Sequence, residues 1–70
     1  MPKISGIGQK DAVRVFGKLG YVVIRQGKHI VMGRGVERLV IPRHNEIKAG
    51  TMGKIASDAG LTPEQFRELL

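Results

Sequence analysis

Between Gly20 and Pro42 the apolar side chains recur at every second position, and glycines punctuate the runs. Tyr21 to Arg25, His29 to Met32 and Glu37 to Ile41 are too short for helices and carry the two-residue period of half-buried strands. The three-residue loop Gln26-Gly27-Lys28, with a positive φ expected at Gly27, and a turn at Gly33-Arg34-Gly35 join them, and Pro42 ends the third. Three short runs linked by tight turns make an antiparallel meander.

Such a sheet has an apolar face that another layer must cover. The flanking segments supply it. From Gly8 the period lengthens: Val13, Phe16 and Leu19 recur at spacing three, with Ala12 and Val15 alongside. Gly8 serves as N-cap, Asp11 sits in the first turn and Gly20 ends the helix. Gly17 inside it costs about 1 kcal/mol against alanine, which reads as close packing of the helix on the sheet. A basic loop over residues 43–50 leads to a second helix capped by Thr51, with Ile55 and Ala59 on its apolar side and Gly60 as its stop. Thr62-Pro63-Glu64-Gln65 starts a third: threonine as cap, proline at the first helical position, glutamine placed to complete a capping box. Phe66, Leu69 and Leu70 follow at helical spacing. The expected fold class is α+β, ordered α-β-β-β-α with the last helical region split. It has a three-stranded antiparallel sheet and helices on one face, and forms one domain over residues 1–70. Met1 to Gly6 is a short basic lead-in.

Matching apolar positions across the strands gives a register. Ile30 sets against Leu39, Met32 against Glu37, Ile24 against Ile30, and Arg25 against His29. One face then holds Val22, Ile24, Ile30, Met32, Leu39 and Ile41, and becomes the core. The other holds Tyr21, Val23, Arg25, His29, Val31, Arg38 and Val40. Arg43 and His44, just past the third strand, hang near His29.

Composition narrows the function. Twelve Lys and Arg against six Asp and Glu leave a net charge of +6, a field that attracts polyanions, nucleic acid above all. A merely basic, solvated surface is the plain alternative. Only Phe16, Tyr21 and Phe66 are aromatic, and all sit at positions that look buried, so a single-strand binder built on exposed stacking rings is disfavoured. With no cysteine there is no disulfide framework and no thiolate metal site. Two histidines without a carboxylate cluster make a weak metal site, so neither metal nor cofactor is expected. No apolar run approaches the ~18 residues of a membrane span, and the start lacks a signal-peptide pattern. A soluble cytoplasmic protein is expected.

The segments Gly20-Tyr21, Arg25-Gln26-Gly27-Lys28-His29, Ile41-Pro42-Arg43-His44, Ile47-Lys48-Ala49-Gly50-Thr51-Met52, Ile55 and Ala59-Gly60-Leu61-Thr62 together resemble the HicA (YcfA-like) toxin family. The resemblance runs from Pro2 to Leu70. It implies a double-stranded-RNA-binding-domain-like fold, an mRNA interferase activity and a small antitoxin, HicB, as partner. The family's key histidine follows a glycine-serine pair on a strand; His29 matches it, with Lys28 where serine is usual. Gly53 stands where a long side chain is more common.

His29 is the expected catalytic residue, acting as general base on the RNA's own 2′-hydroxyl, with His44 as a possible helper. An exposed strand histidine with a purely solvated role is its alternative, and a solvent-exposed loop residue is that of His44. Arg25, Lys28, Arg38, Arg43, Lys48 and Lys54 are the expected RNA-binding residues; Lys48, Lys54 and Arg43 lie near a helix N-terminus, where phosphate binds readily. For each of these an ordinary basic surface is the alternative. The expected function is a toxin-type endoribonuclease working on mRNA without a metal and neutralised by a HicB-like antitoxin. A non-catalytic RNA-binding module of the same fold, or an inactive antitoxin-binding relative, is the rival.

Overall fold

A computed structural model describes residues 6–70. All of the expected basic lead-in except Gly6 lies outside them. The elements run α1 (Gln9–Lys18), β1 (Val22–Gln26), β2 (His29–Arg34), β3 (Glu37–Pro42), α2 (Ala49–Asp58) and α3 (Pro63–Glu68). The sheet is a meander with β2 at its centre. The α+β arrangement, with a three-stranded antiparallel sheet and helices on one face, is as the sequence predicts. No described helix is long and apolar enough to cross a membrane.

The core lies between the sheet and the helices. Ile30, Met32, Leu39 and Ile41 face Ala12, Val15 and Phe16 of α1, Met52, Ile55 and Ala56 of α2, and Phe66 of α3, all buried. The Phe16 ring meets Tyr21 at 6.1 Å and Phe66 at 5.6 Å. Thr62 caps α3 with the expected reciprocal box: its Oγ1 accepts from the Gln65 N–H at 3.1 Å, and its own N–H donates to Gln65 Oε1 at 2.9 Å. Three local expectations are corrected. The cap of α2 is Lys48, so Thr51 falls inside the first turn. Gly17 faces open space rather than the sheet. Gly27 does not adopt a positive φ; in the meander Gly35 does, at +61°.

The register differs from the expected one in an instructive way. β2 and β3 pair Ile30 with Ile41, Met32 with Leu39, and Arg34 with Glu37. This is a shift of two positions, so every side chain keeps its expected face. The turn is then Gly35-Val36, with glycine first as a tight hairpin prefers. Arg34 and Glu37 flank it. The hydrogen bond from Arg34 Nε to Glu37, 2.9 Å, and then the charge of the ion pair, 2.8 Å, raise the Arg34 pKa. The Arg34 guanidinium also lies 4.5 Å over the Tyr21 ring.

In β1 the expected faces are overturned. Tyr21 is buried, whereas Val22 and Ile24 are 63% and 51% exposed. Val22 pairs with Gly33, Val23 with Met32, and Arg25 with Val31, leaving Ile24 as the extra residue of a bulge. The chain enters the sheet one position out of the predicted phase, because Tyr21 packs inward against Phe16. The bulge restores the phase, so Arg25 still reaches the open face. Gly33 makes room for this: a Cβ there would meet the tip of Ile24 and the guanidinium of Arg38.

The segment before α1 ties down the loop after β3. The Ile47 N–H donates to the Ile7 carbonyl at 2.7 Å, and the Gln9 N–H to the His44 carbonyl at 3.0 Å. Between them a Cβ on Gly8 would collide with the Asn45 carbonyl oxygen. Two stability outcomes follow, readable by urea unfolding. Met32→Ala should lose about 2–5 kcal/mol, as for a core truncation; a loss below ~0.5 kcal/mol would mean that this face is not the core. Gly8→Ala should lose about 1–3 kcal/mol by overpacking against backbone, and unchanged stability would show that the loop yields freely.

Candidate functional site

His29 sits at the junction of loop and strand. Toward β3 it pairs with Pro42; toward β1 the last pair is Gln26 with Ile30. Alternation from the buried Ile30 turns its imidazole to the open face. The loop beside it is held through both main-chain groups of Gly27. The Gly27 N–H donates to the His29 carbonyl at 3.1 Å, and the Gly27 carbonyl accepts from Arg43 Nη1 at 3.1 Å. Arg25, Gly27, Lys28, His29, Val31 and Val40 line an open depression of about 410 Å³. Its floor is aliphatic, its rim carries two cations and a histidine, and no carboxylate lines it. That combination attracts an anionic group and sets an imidazole beside it.

The other expected residues lie elsewhere. Arg38 pairs with Gly33, four residues along β2 from the His29 position, about 13 Å at ~3.3 Å per residue. Its Nη1 donates to the carbonyls of Gly35 at 2.7 Å and Glu37 at 2.8 Å, so it folds over the β2–β3 turn. Arg43 clamps the loop and lines a second cavity beneath β1. His44 is exposed, tied to Gln9 through its carbonyl, and does not line the depression. Lys48 and Lys54 are exposed at the cap and in the body of α2, away from the depression. Structure thus brings Arg25, Lys28 and His29 together and distributes the rest. Sequence reasoning placed Val31 and Val40 on this face but missed the clamp from Arg43 to Gly27. No local signal marks the clamp, because it spans 16 positions and exists only through the register.

A family model described as the HicA toxin of bacterial toxin–antitoxin matches residues 10–61. The chain belongs to the HicA toxin family. The matched span runs from α1 through α2 and contains the whole sheet and the His29 depression. No curated protein and no solved structure matched. Membership makes the chain a toxin-family protein whose partner is of the antitoxin kind.

The exposure of His29 separates stability from chemistry. His29→Ala should change unfolding free energy by no more than about 0.5 kcal/mol, as for an exposed side chain outside the core. A loss above ~1.5 kcal/mol in urea unfolding would give His29 a structural role instead.

Proposed function

We propose that this HicA-family chain is a toxin-type endoribonuclease, an mRNA interferase, that cleaves RNA by acid–base catalysis at His29 without a metal ion. The observation that carries this reading is the placement of His29 on the open face, in one depression with Arg25 and Lys28. The neutral imidazole accepts the 2′-hydroxyl proton; the freed oxygen attacks the adjacent phosphorus; the bond from phosphorus to the 5′-oxygen breaks. The products are a 2′,3′-cyclic phosphate and a 5′-hydroxyl, whose proton comes from water, or from His44 if the bound strand reaches it. Arg25 and Lys28 stabilise the charge that gathers on the phosphorane. Only RNA carries the required 2′-hydroxyl.

The same face suits a HicB-like antitoxin. Val22, Ile24 and Val40 are 63%, 51% and 54% exposed on the open face, with Val40 beside Arg25 and His29 and the other two by Gly33. An apolar patch bordered by cations fits a partner surface that is apolar and acidic, and covering it would shut the depression. His29→Ala should therefore still bind the antitoxin.

Single-turnover cleavage of one RNA, run in EDTA, should fall about 10²–10⁴-fold in His29→Ala, as for loss of a general base. His44→Ala should fall less. Equal rates for wild type and His29→Ala would end the catalytic reading; retardation of RNA without cleavage by the wild type would favour the binding module. RNA affinity should also weaken with salt, the log–log slope losing about 0.7 per phosphate contact removed on a single strand. Lys48→Ala with Lys54→Ala should flatten that slope, and an unchanged slope would exclude both lysines from the contact surface.

A further inference from the structure

We propose that the cavity beneath β1 is a nucleobase subsite for the RNA strand whose phosphate lies at His29, an inference that rests on the nuclease reading. The cavity is a groove as open to solvent as the His29 depression; it measures about 400 Å³ and is lined by Gln9, Lys10, Val13, Val23, Gln26, Ile30 and Arg43. That size falls within the range of small-ligand sites, about 300–1,000 Å³. It lies on the helix side of the sheet, opposite the His29 depression.

Its chemistry selects the ligand. Val13, Val23 and Ile30 supply apolar walls, which suit the faces of a planar ring. Gln9 and Gln26 each carry a carboxamide with both a donor and an acceptor, the complement of a base edge. Lys10 and Arg43 bring positive charge for the flanking phosphates, and no carboxylate lines the cavity. A bare anion site needs neither the valines nor the amides. Val23 adds a second observation. It shares the covered face with Met32, yet it is 38% exposed, so α1 leaves a gap over this part of the sheet. Gln26, opposite Ile30, is a polar residue turned toward that gap.

Continuity links the cavity to the depression. Arg25 and Gln26 are adjacent and lie on opposite faces, so one lines each hollow. Arg43 lines the cavity while its guanidinium holds the Gly27 carbonyl, and Gly27 lines the depression. The end of the first hairpin is their common wall. A single strand crossing it sets a phosphate on the His29 side and a base on the Gln26 side. The cavity would then give the cleavage its base preference, which the cationic depression alone cannot supply.

The test reads binding, so it stands apart from catalysis. The His29→Ala chain is titrated with short single-stranded RNA and followed by NMR of backbone amides, glutamine side-chain amides and the Val13, Val23 and Ile30 methyl groups. The oligonucleotides include a series with one abasic position each. The expected result is that the Gln9 and Gln26 signals move with intact RNA. One abasic position should abolish those shifts while leaving the shifts of Arg25 and Lys28. Gln9→Ala with Gln26→Ala should weaken the intact RNA about 2- to 10-fold per lost hydrogen bond and leave the abasic RNA unaffected. Shifts confined to Arg25 and Lys28, equal for all oligonucleotides, would overturn the subsite and leave the nuclease reading standing. RNA that moves no signal would overturn it as well. Failure of the wild type to cleave is a separate result: it sinks the nuclease reading and with it the subsite's part in cleavage, while base-dependent shifts would still show the base bound.

Discussion

The two-residue alternation of β2 is the constraint from which the rest follows. Ile30 and Met32 are 6% and 1% exposed, and burying each large aliphatic chain contributes about 1.5–3 kcal/mol. A slip of one position would turn both to water and drive His29, Val31 and Gly33 into the core. β2 is hydrogen-bonded on both edges, so its neighbours inherit its phase. The outward position of His29 is thus enforced by the hydrophobic core, not by any contact of the imidazole itself.

This explains what was legible in the sequence. Parity survives a register error of two, so the faces of β2 and β3 could be read correctly although Ile30 pairs with Ile41 and not with Leu39. The β1 error has another origin. Nothing in Tyr21-Val22-Val23-Ile24 says which residue is the first to turn inward, because all four are apolar or aromatic. Burial of Tyr21 beside Phe16 decides it, and that contact belongs to the tertiary fold. The bulge is equally silent locally: the tip of Ile24 rests over Gly33, nine positions on. Two misjudgements, the phase and the missing bulge, cancel at Arg25.

The site was legible to the same degree. Arg25, Lys28 and His29 lie close in sequence on one hairpin, so local geometry was enough to gather them. Arg38, Arg43, His44, Lys48 and Lys54 depend on register, turn geometry and helix placement. Arg43 shows the distinction well: its charge is evident from the sequence, but its bond to Gly27 is not. A cation that reads as a ligand contact is also the brace of the loop that carries the candidate base.

The tilted contact of Phe16 with Phe66 has a temporal side. The rings are 5.6 Å apart in space and 50 positions apart in the chain, and Lys18 Nζ likewise bonds the Leu69 carbonyl at 2.7 Å across 51 positions. The hairpins and the Phe16–Tyr21 contact close over short loops, whereas the contact of Phe16 with Phe66 needs a closure of the longest range. The Phe16 end of α1 is therefore among the last parts of the core to gain its cover. Until α3 arrives, the Phe16 end of its buried stripe lacks its cover, and in that interval the chain is most open to chaperones, proteases and neighbouring copies of itself.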